Sequence, residues 1–302
     1  MPGPGLGLPI HLAIRKFFMK HLRKTAGLAL LACAAGLTLA GCGGGGGDGA
    51  NPTAVRFAAE GFWGGPDVNA GWVGQDIPPW NGPKGHFWGS PSIRNHMGLV
   101  ILSSGETWGV YTANDVIVGA LHGSAQAGGV GVTIGDARFF NIGYPAQGGV
   151  SYSGAVAPMS QIDITGPDTT GSDITGTKQT QFVGTYSTSY DRPASLTQLA
   201  GSYSGTGGTT RGNNPGTNYS ITISGAGVIT LPPDAVGCSA SGTATPHTDK
   251  NVFDIRLQFS GTRCALGNGA QVRGIAVLGN DGHLLMMGAT PNIQDQFIYV
   301  GQ

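Results

Sequence analysis

Beyond residue 60, apolar and polar positions alternate with a period of two through most of the chain, the signature of half-buried strands. The clearest case is 252–260. Phe253, Ile255, Leu257 and Phe259 fall on one side, and Asp254, Arg256 and Gln258 on the other. Such a strand belongs to an antiparallel sheet that is solvated on one face. The second half predicts eight strands: 201–206, 219–224, 228–231, 236–245, 252–260, 271–279, 283–289 and 296–300. The first half predicts strands at 61–64, 97–103, 106–112, 116–126, 130–141, 149–157 and 178–189, with 163–176 read as polar and turn-rich. Ser104-Gly105 and Asn280-Asp281-Gly282 carry hairpin-turn chemistry.

One stretch after residue 60 is helical in character. Asp191 offers a cap, Pro193 suits a first turn, Leu196 and Leu199 share a face, and Gly201 provides a stop. This predicts a short helix over 191–199 where two strand-rich halves meet. The halves echo one another: 61–65 resembles 201–205, 101–105 resembles 221–225, and 118–123 resembles 236–242. Two copies of one eight-stranded unit would account for the echo, and closure removes vulnerable sheet edges. The predicted fold is all-β. It has two tandem antiparallel β-barrels of about eight strands each, at 58–190 and 201–302, joined by a helical junction at 191–200.

Between the first two predicted strands lies a proline-rich, aromatic stretch. Trp72, Trp80, Phe87 and Trp88 are spaced by Pro66, Pro78, Pro79 and Pro83, which disfavour helix and central strand. A long loop with this composition is functional or packs on itself. The tryptophans either plug one end of a barrel or form a ligand-facing surface. Trp72, Trp80, Trp88 and Phe87 are the candidate binding residues.

The start of the chain has a different character. Lys20, Arg23 and Lys24 precede an apolar run over 26–40, which is too short to cross a bilayer and reads as a secretory signal peptide. Met19 offers a second start that would give a signal of ordinary length. The run ends in Leu39-Ala40-Gly41-Cys42, followed by five glycines. This tetrapeptide resembles the lipobox of bacterial lipoproteins. The resemblance implies cleavage before Cys42, removal of 1–41, and diacylglyceryl and palmitoyl-type chains on the new terminus. The implied partner is a membrane, held through Cys42. Two or more chains anchor far more firmly than one. Residues 42–57 would form a tether, and Gly-rich linkers of n residues span roughly 5–6 Å × √n. Gly43, where an Asp would favour inner-membrane retention, points to the outer membrane, on its periplasmic or its exterior side. The layout over 42–302 also resembles surface lipoproteins of Gram-negative bacteria of the transferrin-binding-protein-B and factor-H-binding types.

With Cys33 removed and Cys42 acylated, Cys238 and Cys264 remain in an exported chain, where disulfides persist. They are expected to pair, the alternative being two free thiols or a metal pair. Net charge is zero and charged residues make up 11%, so no basic stripe points to nucleic acid. No Gly-x-Ser-x-Gly elbow, HExxH or CxxC motif occurs in 42–302, so no catalytic residue, metal ligand or cofactor is assigned and no enzyme is expected. The sequence reads as an outer-membrane lipoprotein presenting β-barrel binding domains to a small-molecule or protein partner. The alternatives are a structural envelope lipoprotein without a ligand and, with no motif behind it, an envelope hydrolase.

Overall fold

The computed structural model describes residues 57–64, 95–113, 116–141, 146–167, 179–211, 217–280 and 282–302. Cys42 and the aromatic stretch carrying Trp72, Trp80, Phe87 and Trp88 lie outside the described residues.

The first barrel is built from β1 (Gly61–Gly64), β2 (Asn95–Ile101), β3 (Glu106–Ala113), β4 (Val116–Gly128), β5 (Gly131–Asn141), β6 (Gln147–Ala157), β7 (Gln161–Pro167) and β8 (Gln179–Tyr186). Each strand pairs antiparallel with the next, and Trp63 opposite Tyr186 closes β8 on β1. The second barrel repeats this order with β9 (Gly201–Thr209), β10 (Thr217–Ile223), β11 (Val228–Leu231), β12 (Ser239–Pro246), β13 (Val252–Ser260), β14 (Gln271–Leu278), β15 (Leu284–Ala289) and β16 (Gln296–Gly301). It closes β16 on β9, with Tyr299 opposite Gly207.

Three local expectations are corrected. The segment expected to be turn-rich from residue 163 is strand as far as Pro167. Ile162 and Ile164 point inward while Gln161, Asp163 and Thr165 face out, a period of two hidden by the polar residues. The strand expected from residue 236 begins at Ser239, because 232–238 forms a loop that folds on the Asp234 carboxylate. The nine-residue helix is reduced to a 3₁₀ turn at Thr188–Asp191 and a four-residue helix, α1 (Leu196–Leu199). Pro193 disfavours helical backbone at the residue before it, and Arg192 is extended (φ −82°, ψ 141°).

The internal echo falls on equivalent strands, but the residue equivalent to Gly105 is Gly227, two positions past the Gly225 that the echo matches to it. The β2–β3 and β10–β11 turns each close with a glycine in left-handed conformation, Gly105 (φ +86°) and Gly227 (φ +78°). Each glycine carbonyl accepts an amide of the fourth strand of its barrel, from Ala125 or Ala244, at 2.7 Å in both cases. A Cβ at either glycine would run into that alanine's carbonyl oxygen, so the turn needs glycine for space as well as for φ.

Both barrels belong to one compact unit, and the apolar cores merge at their shared face. On β16, Phe297 and Tyr299 fill the second barrel while Ile298 and Val300 point out of it, yet every residue of the strand is buried. On β15, Leu285 and Met287 are likewise outward and buried. They join Val252, Ile275 and Val277 in one cluster with Trp108, Val110 and Ala120, which lie on the outer face of β3 and β4. β15 and β16 read as near-continuous apolar runs because both of their faces are covered.

Polar contacts pin the pair at both ends. At one end, Lys250 in the β12–β13 turn sits 3.2 Å from Asp191 and 3.9 Å from Glu60. The Asn251 amide there donates to the Tyr190 carbonyl. At the other, Arg138 on β5 donates to the Ile293 carbonyl in the β15–β16 turn at 3.3 Å. The barrels therefore lie side by side with their ends matched. The chain enters the body at the first of these ends, through Phe57–Glu60, and α1 lies there too. We call it the entry end and the opposite one the mouth end.

Candidate ligand-binding site

The two interiors differ. In the first barrel Trp63, Tyr111, Phe139, Tyr152 and Phe182 converge, and Tyr111 meets Phe139 edge-on at 4.9 Å. Burial and the neighbouring Tyr152 push the Tyr111 hydroxyl well above the usual tyrosine pKa. A residual void of about 10 Å³ between Met97, Leu121 and Ile164 has room for one water at most. Among the described residues this barrel is filled.

The second barrel is filled only from its entry end. There Leu199 of α1 is fully buried, and Tyr203 donates its hydroxyl proton to the Leu199 carbonyl at 2.7 Å. At the mouth end the inward positions turn small: Thr209 on β9 and Ala240 on β12. They leave a pocket of about 250 Å³. Leu231, Ala240 and Phe259 form its floor, Tyr219 stands at one side, and Phe259 packs edge-on against Phe297 below at 5.7 Å.

Two loops wall the pocket, and their own hydrogen bonds set their shape. In 232–238 the Asp234 carboxylate accepts amides from Val236 at 3.0 Å and Cys238 at 2.8 Å, and the Asp234 amide donates to the Cys238 carbonyl. In 261–270 the Asn268 side chain accepts the Gly261 amide at 3.0 Å, and the Cys264 carbonyl accepts the Gly267 amide at 2.9 Å. The disulfide Cys238–Cys264 ties the loops, with Cα atoms 4.9 Å apart. Val236, Pro232 and the disulfide give the walls an apolar surface, while Arg263 and Asp234 supply opposite charges at the rim. Burial, with the Asp234 charge second, raises the Tyr219 pKa, so this hydroxyl stays protonated and can donate at neutral pH.

The expected Cys238–Cys264 pair is thus formed, and it lies in the pocket wall. Tyr219, Asp234, Phe259 and Arg263 were not singled out from the sequence. The signal that marks them is the spacing of the two cysteines just outside β12 and β13, which announces two stapled loops at one barrel end. The candidate residues Trp72, Trp80, Phe87 and Trp88 join β1 to β2, whose described ends Gly64 and Asn95 lie at the mouth end of the first barrel. Among the described residues no group of three or more His, Cys, Asp or Glu side chains could hold a metal ion. No described helix is long and apolar enough to cross a membrane.

No protein-family profile, no curated protein and no solved structure matches this chain. Nothing in these comparisons or in the described residues points to an enzyme.

Proposed function

We propose that this protein is an envelope lipoprotein of the outer membrane, anchored through Cys42, that binds a small ligand at the mouth of its second barrel. The observation that carries this reading is the pocket itself: it opens at the end opposite the one where the chain enters from Cys42. A protein held by its N-terminal side would present such a pocket away from the membrane. The walls favour a compact, largely apolar molecule with one polar group, which Tyr219 or Arg263 would receive. An eight-stranded barrel has room for one such ligand. The filled first barrel serves as a rigid mount, and in this it matches the structural alternative.

Ala235 and Ala265 line the pocket on exposed loop positions, so Ala235→Trp and Ala265→Trp fill it without touching the barrel wall. The test is a thermal-shift screen of small amphipathic molecules against the parent and both variants. Compounds that raise the parent's melting temperature and leave both variants unmoved support the reading. Compounds that shift all three equally place binding elsewhere and refute it.

A further inference from the structure

Four large apolar side chains stand out as exposed among the described residues. One, Val236 (49% exposed), lines the pocket. The other three gather at the entry end. Val130 (73%) tips the β4–β5 hairpin, Met159 (55%) sits in the β6–β7 turn, and Val228 (49%) begins β11 beside the β10–β11 turn. The Val130 carbonyl accepts the Val156 amide at 2.7 Å, so the first two tips are neighbours. The hairpins that carry them have no formal charge, although Glu60, Asp191, Asp249 and Lys250 lie at the same end of the body. Residues 123–135, 139–162 and 217–231 contain no Asp, Glu, Lys or Arg, and His is absent as well. Met159 also holds φ +55°, a conformation that glycine or asparagine adopts more easily. A long apolar side chain is thus held outward, at an unfavourable backbone angle, on an uncharged tip.

Scattered exposed apolar residues are ordinary on soluble surfaces. These stand on uncharged hairpins at the end where the chain arrives, and two of them, Val130 and Met159, are neighbours. Fourteen residues lie between Cys42 and Phe57, a contour of at most about 50 Å. An anchor on Cys42 therefore holds the entry end within that distance of the bilayer.

We infer that the entry end is a membrane-contacting face, with Val130 and Met159, flanked by Val228, entering the interfacial layer of a phospholipid surface. This rests on the anchored reading above. A tip bearing one apolar side chain and no charge enters the interface without desolvating an ion. Each tip alone binds weakly, but tethering makes the contact intramolecular and raises its effective concentration. The contact fixes the orientation of the body, so that the mouth of the second barrel faces away from the lipid.

The test supplies the anchor chemically. With Cys238 and Cys264 paired, Cys42 is the single free thiol of the chain 42–302. It is coupled either to a maleimide phospholipid in phosphatidylethanolamine–phosphatidylglycerol vesicles or to a soluble maleimide polymer. Amide hydrogen exchange is then compared by mass spectrometry. The expected result is exchange slowed about threefold or more on vesicles at 128–131, 157–160 and 224–228, with 232–238 unchanged. The double variant Val130→Asp, Met159→Asp changes exposed tips only, so it keeps the circular dichroism of the parent and loses the slowing. Equal exchange in the vesicle and polymer forms, or slowing at 232–238 instead, overturns the inference. Native acylation is read separately, by mass spectrometry of Cys42 in protein taken from its own envelope, so failure of the anchor and failure of the contact give different results.

Discussion

Trp63 and Tyr203 occupy the same place in the two barrels. Each is the third residue of a first strand and points inward. Each donates to the carbonyl four residues upstream, Trp63 Nε1 to Ala59 at 3.0 Å and the Tyr203 hydroxyl to Leu199 at 2.7 Å. Ala59 and Leu199 are both fully buried, so in each barrel the segment before the first strand plugs the entry end and the aromatic locks it there.

Removing either lock has a defined cost. Tyr203→Phe keeps the ring and leaves the buried Leu199 carbonyl unpaired, which destabilises by about 1–2 kcal/mol. Trp63→Phe loses the same bond together with ring volume and the edge contact to Tyr186 at 5.2 Å, and costs more, about 2–4 kcal/mol. Urea denaturation measures both, and the ranking Trp63 above Tyr203 is the point at issue.

Gln296 has the opposite character. It shares the outward, barrel-facing side of β16 with Ile298 and Val300. It is fully buried, and neither its amide nitrogen nor its carbonyl oxygen finds a partner. Gln296→Met keeps the length of the side chain and removes both unpaired groups. It is predicted to stabilise the protein by about 1 kcal/mol, seen as a raised denaturation midpoint at unchanged m-value. A destabilised variant would show that this amide has a partner in solution.

The disulfide ties a span of 26 residues, and removing it with Cys238→Ala, Cys264→Ala should cost roughly 3–4 kcal/mol on the chain-entropy argument. The internal hydrogen bonds of the two loops remain, so the barrel should stay folded. Hydrogen exchange should rise at 232–238 and 261–270 more than in β12 and β13. Uniform loosening of the strands would contradict the local role given to the bridge.

Buried tyrosines set the alkaline limit. Burial raises the pKa of Tyr111, Tyr203, Tyr219 and Tyr299 in the folded protein above the unfolded value near 10. Above that value the unfolded chain releases phenolic protons that the folded chain keeps, so stability falls as pH rises. The stabilising contribution is fully present below about pH 10 and is lost above it. The slope is about 1.4 kcal/mol per pH unit for each tyrosine still protonated in the fold. Denaturation midpoints from pH 8 to 11.5 check this. Replacing Tyr299 with Phe should flatten the alkaline limb.

Much of the architecture was legible in the sequence because closed antiparallel barrels leave a period-two pattern on most strands. Phe253–Ser260 alternates without a break, and the echo between residues 61–65 and 201–205 marks two equivalent first strands. The pattern failed where its physical basis changed. Leu284–Ala289 and Gln296–Gly301 are buried on both faces, so they show no alternation from which the inter-barrel contact could be foreseen. In Gln161–Pro167 the outward residues are polar enough to pass for a turn. The pocket was not legible at all. It arises from small inward residues, Thr209 and Ala240, meeting across the barrel from Tyr219 and Phe259, a juxtaposition set by shear and closure. Only the cysteine pair pointed to that end of the barrel.

The most direct test of the account is nuclear magnetic resonance mapping of a small amphipathic compound that stabilises the protein. If the second barrel binds at its mouth, backbone shifts on titration concentrate at Thr209, Tyr219, Ala240 and Phe259 and in 232–238, and Ala265→Trp abolishes them. Shifts confined to the first barrel, or unchanged in Ala265→Trp, would contradict a binding site at the mouth of the second barrel.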